Sequence, residues 1–214
     1  MSGRYIQLDF DLIEQPKAEC ILAPHIPMLR TCFHTAWESW EKFGAMLPEL
    51  RYVLTARTRA GFVNDHICQE VKVRFARVAD ARVEEVRGLV LLTLYDSSTN
   101  EPALIMRFKK LNRELLSSNI PTKQQRDFSR QLSFPEIPSV TRLTAGYQLD
   151  MLQSAIKDLW VTCAVQSNVL WAIPILDDGE GGIEIEFVEP ILDARQPRVK
   201  PINVQTWIVE EKQQ

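Results

Sequence analysis

The hydrophobic period of this chain changes once, near Gly88, and that change constrains the fold more than any other feature of the sequence. Before it, apolar residues recur every three or four positions. After it, they gather in short runs bounded by turn residues. From Pro27 to about Leu47, the residues Leu29, Cys32, Phe33, Ala36, Trp37, Trp40, Phe43 and Leu47 form one stripe, with Arg30, His34, Glu38, Glu41 and Lys42 between them. That spacing predicts an amphipathic helix, opened by Pro27 and closed by Gly44 and Pro48. Pro48 opens a second stripe through Leu50, Val53, Ala56, Ala60, Val63, Ile67, Val71 and Phe75. Its continuity predicts one long helix to about Val78, with Gly61 as its point of bending.

Past Gly88, Leu89 to Tyr95 and Ala103 to Phe108 read as a hairpin across the turn Asp96 to Glu101. Thr122 and Gln125 have the spacing of a capping box, so a short helix follows, with Phe128 and Leu132 as its apolar side. A proline-rich loop, Phe134 to Ser139, separates it from a strand at Arg142 to Leu149 and a helical turn or two ending near Ala155. Leu159 to Val165 and Val169 to Leu176 then flank a tight turn at Ser167 and Asn168, as in a meander. Ile183 to Val188 alternates Ile and Phe with Glu, and Ile202 to Val209 suits an edge strand. The expected architecture is α+β, with N-terminal helices packed on a mostly antiparallel sheet and one further short helix. At 214 residues one domain is expected, with 1–25 as an N-terminal extension, 26–192 as the core and 193–214 as an extended tail.

A composition of 45% apolar and 25% charged residues is that of a globular chain, and no apolar run reaches membrane-spanning length. The four cysteines, Cys20, Cys32, Cys68 and Cys163, form no C-x-x-C pair, and no secretory leader precedes them, so reduced thiols in a cytoplasmic protein are expected. Net charge is only −3, but it is unevenly placed: Ile105 to Gln131 carries seven basic residues against two acids, and Ile175 onward carries nine acids against four bases.

The nucleotide-binding and hydrolase signatures rich in glycine are absent, as is H-E-x-x-H. Cys20, His25, Cys32 and His34 lie close in sequence, but Cys32 and His34 project about 200° apart on a helix, so neither a metal nor another cofactor is expected. A metal-dependent nuclease of the PD-(D/E)xK kind requires an acid where Arg107 stands, two residues before Lys109. On the second helix, Arg59, His66, Glu70 and Arg74 share a stripe beside Arg57. There His66 suits a general base with Glu70 as its partner, and Arg57 and Arg59 suit stabilisation of an anion. A solvated helix face with i,i+4 ion pairs accounts for the same residues. Arg107, Lys109 and Lys110, followed by Asn119 and Thr122 and then by the ridge Lys123, Arg126 and Arg130, form a candidate phosphate-binding surface; solvated charge is the alternative there. Five tryptophans could stack on bases, but the spacing of Trp37 and Trp40 assigns those two to the core.

Arg57-Thr58-Arg59-Ala60 with Asp65-His66, Arg107 to Leu111, Asn119 with Thr122, Gln131, Gly146-Tyr147 and Trp171 together resemble an uncharacterised family of bacteria and their phages, over about residues 30 to 175. The resemblance implies a place beside small regulators that carry a helix-turn-helix and a metallopeptidase-like domain, as in toxin–antitoxin pairs. It implies no reaction and assigns no catalytic residue. The resulting expectation is a phosphate-recognising protein that binds or processes nucleic acid or a nucleotide, as the toxin component of a prophage or phage-defence module. Its catalytic residues would be His66 and Glu70, and its ligand-binding residues Arg57, Arg59, Arg107, Lys109, Lys110, Asn119 and Thr122. A cognate antitoxin is the expected protein partner, and no membrane is involved. The alternative is a non-enzymatic protein–protein interaction module.

Overall fold

A computed structural model describes residues 4–6, 12–118, 122–131, 138–175 and 207–209. The chain divides into two compact units, one of Met1–Asp9 with Asp178–Gln214 and one of Phe10–Asp177. In the smaller unit β1 (Arg4–Ile6) pairs antiparallel with the last strand, β8 (Trp207–Val209). The expected strand at Ile183 to Val188 and most of the proline-rich loop lie outside the described residues.

The larger unit is α+β. Its helices come first: α1 (Gln15–Leu22), a 3-10 turn (Ala23–His25), α2 (Ile26–Met46), α3 (Pro48–Val53) and α4 (Ala56–Arg74). Then follow β2 (Ala81–Val86), β3 (Leu89–Asp96), β4 (Glu101–Lys110), α5 (Lys123–Ser129), β5 (Thr141–Leu149), β6 (Ile156–Val165) and β7 (Asn168–Pro174). The six strands form one sheet in chain order, antiparallel at every step except β4–β5. That step is parallel because the chain crosses back through α5 before re-entering.

Strand alternation divides the sheet into two unlike faces. Leu104, Met106 and Phe108 of β4 join Leu143, Ala145 and Tyr147 of β5 under the helices, against Leu29, Phe33, Trp37 and Trp40 of α2 and Val63, Ile67 and Val71 of α4. Phe33 anchors this layer, its ring 6.3 Å from those of both Phe108 and Tyr147. The opposite face has a small apolar cluster of Leu91, Ile105 and Phe128 beneath α5, and otherwise buries polar groups: Arg107, Arg142, Thr144 and Thr162.

The expected single long helix from Pro48 is interrupted. It stops at Val53 and restarts at Ala56, because Thr55 takes an extended conformation and its hydroxyl accepts the Thr58 amide, a cap that ends one helix and begins the next. Gly61 lies inside α4 without a break. Residues 15–22, expected as part of an extension, form α1 and bury Ala18 and Leu22 in the main core. β2 was not expected, and the stretch before Ala155 is a turn held by Asp150, whose carboxylate accepts from Ser154, rather than a helix.

Candidate functional site

The basic residues singled out by sequence divide among four places, and the alternation of β4 separates Arg107 from Lys110. Lys110 points toward the helical layer. There its amine lies 3.5 Å from Gln153 Oε1, and Arg59 donates to the same amide oxygen and, at 3.0 Å, to the Gln153 carbonyl. Burial, and after it the neighbouring Arg59, hold the Lys110 amine below its ordinary range. Arg57 is exposed on the first turn of α4.

His66 and Glu70 do not form a pair. Glu70 accepts from Arg74 Nε at 2.8 Å, while the His66 ring stacks on Phe62 with centroids 4.4 Å apart. The i,i+4 spacing that suggested a base and its carboxylate serves an ion pair one turn further along and an aromatic contact one turn back. Asn119 lies outside the described residues, and Thr122 caps α5 by accepting the Gln125 amide at 3.2 Å. The side chain of Gln125 turns instead to Ser129, so the reciprocal half of the capping box is not made.

Arg107 points to the other face. It is 4% exposed, donates to Thr144 Oγ1 at 3.1 Å and to Ser117 Oγ at 3.1 Å, and its guanidinium carbon lies 4.2 Å from the Phe128 ring centroid. No carboxylate pairs with it among the described residues, and burial alone pushes its pKa down to about 10, so it stays charged at neutral pH. A buried cation served only by hydroxyls and an aromatic face carries a desolvation cost of several kcal/mol in principle, which an anion would offset.

The space in front of it is a cleft of about 380 Å³. Thr144 and Thr162 form its floor, α5 contributes Arg126 and Ser129 and its C-cap residue Arg130, and the turns Asn112–Ser117 and Gln166–Ser167 close its ends. Its described lining holds three arginines, several hydroxyls and amides, and no carboxylate. Both turns are held by hydrogen bonds, one internal and one to α5. Asn112 Oδ1 accepts the Leu116 amide at 2.8 Å, and the Gln166 amide donates to the Ser129 carbonyl at 2.7 Å, which ties the β6–β7 turn to α5.

Sequence reasoning gave Gln131 no role, yet it sets the position of α5. The β5–β6 ladder begins at Leu143 and Cys163, and the Gln131 amide fills the place where the next rung would be. Its Nε2 donates to the carbonyls of Arg142 at 2.8 Å and Ala164 at 3.2 Å, and its Oε1 accepts the Arg142 amide at 2.8 Å. Its φ of 56° turns the chain back at the helix end, a left-handed conformation that no spacing rule assigns to glutamine.

Comparison of the chain with family profiles, curated proteins and solved structures found no match.

Proposed function

We propose that the cleft over Arg107 binds a phosphate-bearing ligand, a nucleotide or the phosphorylated end of a nucleic acid strand. The observation that carries this reading is a charged guanidinium, 4% exposed, at the base of a cleft whose described lining has no carboxylate. Arginine presents planar, paired donors that match phosphate oxygens. Arg126 on α5 and Arg130 at its C-cap supply further cationic donors one turn apart, and Ser117, Ser129 and Thr162 supply hydroxyls suited to a ribose or to phosphate oxygens. The described lining holds no imidazole or carboxylate of the kind His66 and Glu70 were expected to provide, and the reading proposed is one of binding.

Titration of the purified protein with pyrophosphate, adenosine monophosphate and a 5′-phosphorylated single-stranded RNA tests it. Arg107→Met and the double change Arg126→Ala/Arg130→Ala should each weaken binding about 10- to 100-fold, the value of one or two charge-assisted hydrogen bonds. Affinity should also fall steeply with salt. Failure of all three probes to bind at low salt, or equal binding by the variants, ends the proposal. The toxin role would require in addition that expression alone arrests bacterial growth and that Arg107→Met relieves the arrest.

A second reading, a protein–protein interaction module, is favoured by a different observation. Met46, Leu47, Leu50, Tyr52 and Val53 expose between 45% and 89% of their surface within one eight-residue stretch across the end of α2 and α3. Tyr52→Ser with Val53→Ser should then abolish binding to the partner while leaving phosphate binding intact.

A further inference from the structure

β3 and β4 are hydrogen-bonded from Asp96 and Glu101 only as far as Leu92 and Met106, although β3 begins at Leu89 and β4 runs on to Lys110. The two strands therefore part at this end of the sheet, between neighbours that remain paired: β2 follows β3 to Leu89, and β5 follows β4 to Lys110. The parting opens a crevice of about 250 Å³ between Gly88–Val90 and Arg107–Lys109, covered by α4 through Asn64, Asp65, Cys68 and Lys72. Lys109 is the half-buried amine of this crevice, and no hydrogen bond or ion pair engages it among the described residues. The other lysine there, Lys72, is tied to Glu85 at 2.8 Å.

We propose that Lys109 is a nucleophilic amine and that the crevice takes a small polar aldehyde or ketone, which Lys109 holds as an imine. The neutral amine adds to the carbonyl carbon, forming the C–N bond. The resulting carbinolamine loses its hydroxyl, together with the remaining nitrogen proton, as water. No oxidant or reductant takes part, and hydrolysis reverses the step. This site is separate from the anion cleft and does not depend on it, although Arg107 borders both.

The surroundings favour this chemistry in three ways. Burial first, and then the like charge of Arg107 on the same strand, holds the Lys109 amine below its ordinary range, against the opposing pull of the Asp65 carboxylate. Cys68 is not a competitor, since burial pushes its thiol up to about 11 and keeps it protonated. Asn64, Asp65, Gln69, Lys72 and Glu85 give the crevice a polar side facing Leu89, Val90 and Phe108, which suits a small hydrophilic carbonyl compound.

Glyoxylate with cyanoborohydride, followed by peptide mapping, reads the site directly on the folded chain. Lys109 should be alkylated at least about tenfold faster than exposed Lys42 or Lys157, and its rate should rise at a lower pH than theirs. Cys68→Ser should retain the selectivity and Lys109→Arg should remove it. Modification spread evenly over the lysines, or an unmodified Lys109, overturns the assignment. The mapping needs only the unaltered protein, so a poorly folded variant does not compromise it.

Discussion

Arg107 and Gln131 are both buried polar residues on the sparsely covered face of the sheet, yet their substitution should have opposite effects on stability. Gln131 makes three short hydrogen bonds to main chain that the β5–β6 ladder leaves open. Gln131→Ala strands an amide and two carbonyls and is expected to cost about 2–3 kcal/mol in urea unfolding. Arg107 is a charge without a counter-ion among the described residues. Arg107→Met keeps the length and the contact with Phe128 and removes the desolvation cost, so the unfolding free energy should be unchanged or rise by up to about 2 kcal/mol. A loss above about 1 kcal/mol would show that the bonds to Thr144 and Ser117 hold the fold rather than prepare a site. A residue retained at the expense of stability is the pattern expected where ligand binding, not packing, requires it.

The helical layer tests how far pattern determines elements. Thr55→Ala removes the oxygen that accepts the Thr58 amide and should cost about 1 kcal/mol, because α4 then begins without its cap. Gly61→Ala should stabilise by about 0.5–1 kcal/mol, since an added Cβ there meets nothing within 4 Å and alanine restricts the unfolded chain. Paired urea titrations of the two variants should therefore move in opposite directions. They also show why the break was misplaced in the sequence reading. Gly61 looked like the weak point, but a glycine within a helix is only a modest cost, whereas Thr55 offers the backbone a competing bond. α2 was legible because it buries one continuous face, and the β3–β4 hairpin because its strands are short apolar runs buried on both faces. α1 was not, since only Ala18 and Leu22 of its eight residues are buried, too few for a period to show. β2, at the sheet edge, alternates Arg82 and Glu84 with Ala81 and Val83 and contains no fully buried residue.

At the scale of the whole unit, the sequence indicated where the basic residues are but not which of them meet. Arg107 and Lys110 are three residues apart and face opposite sides of the sheet, a consequence of strand geometry that charge counting misses. The cleft instead joins β4 to α5 and the β6–β7 turn, positions up to sixty residues away in the chain. The core is equally long-range in composition, and its buried thiols make it sensitive to alkali. Cys32 on α2 and Cys163 on β6 are both fully buried, and burial pushes each thiol up to about 12; Cys68 is raised to about 11, and burial raises the Tyr147 hydroxyl to about 12. Below about pH 7.5, a unit under the ordinary thiol pKa, these thiols are protonated in the folded and the unfolded chain alike, and they add no pH dependence. As pH rises past that value the unfolded chain releases protons that the folded chain keeps, so stability falls progressively toward the folded pKa values. Arg107 and Arg142 act in the opposite sense, because burial lowers each to about 10, the pH at which half of the folded form has lost its proton, but they offset only part of the effect of the three thiols. Urea unfolding under reducing conditions should therefore give a lower free energy at about pH 10 than at about pH 8. Cys163→Ala should lower stability at both pH values through the cavity it leaves, and should make the difference between them smaller. A pH difference unchanged by that substitution would assign the alkaline loss to groups other than the Cys163 thiol.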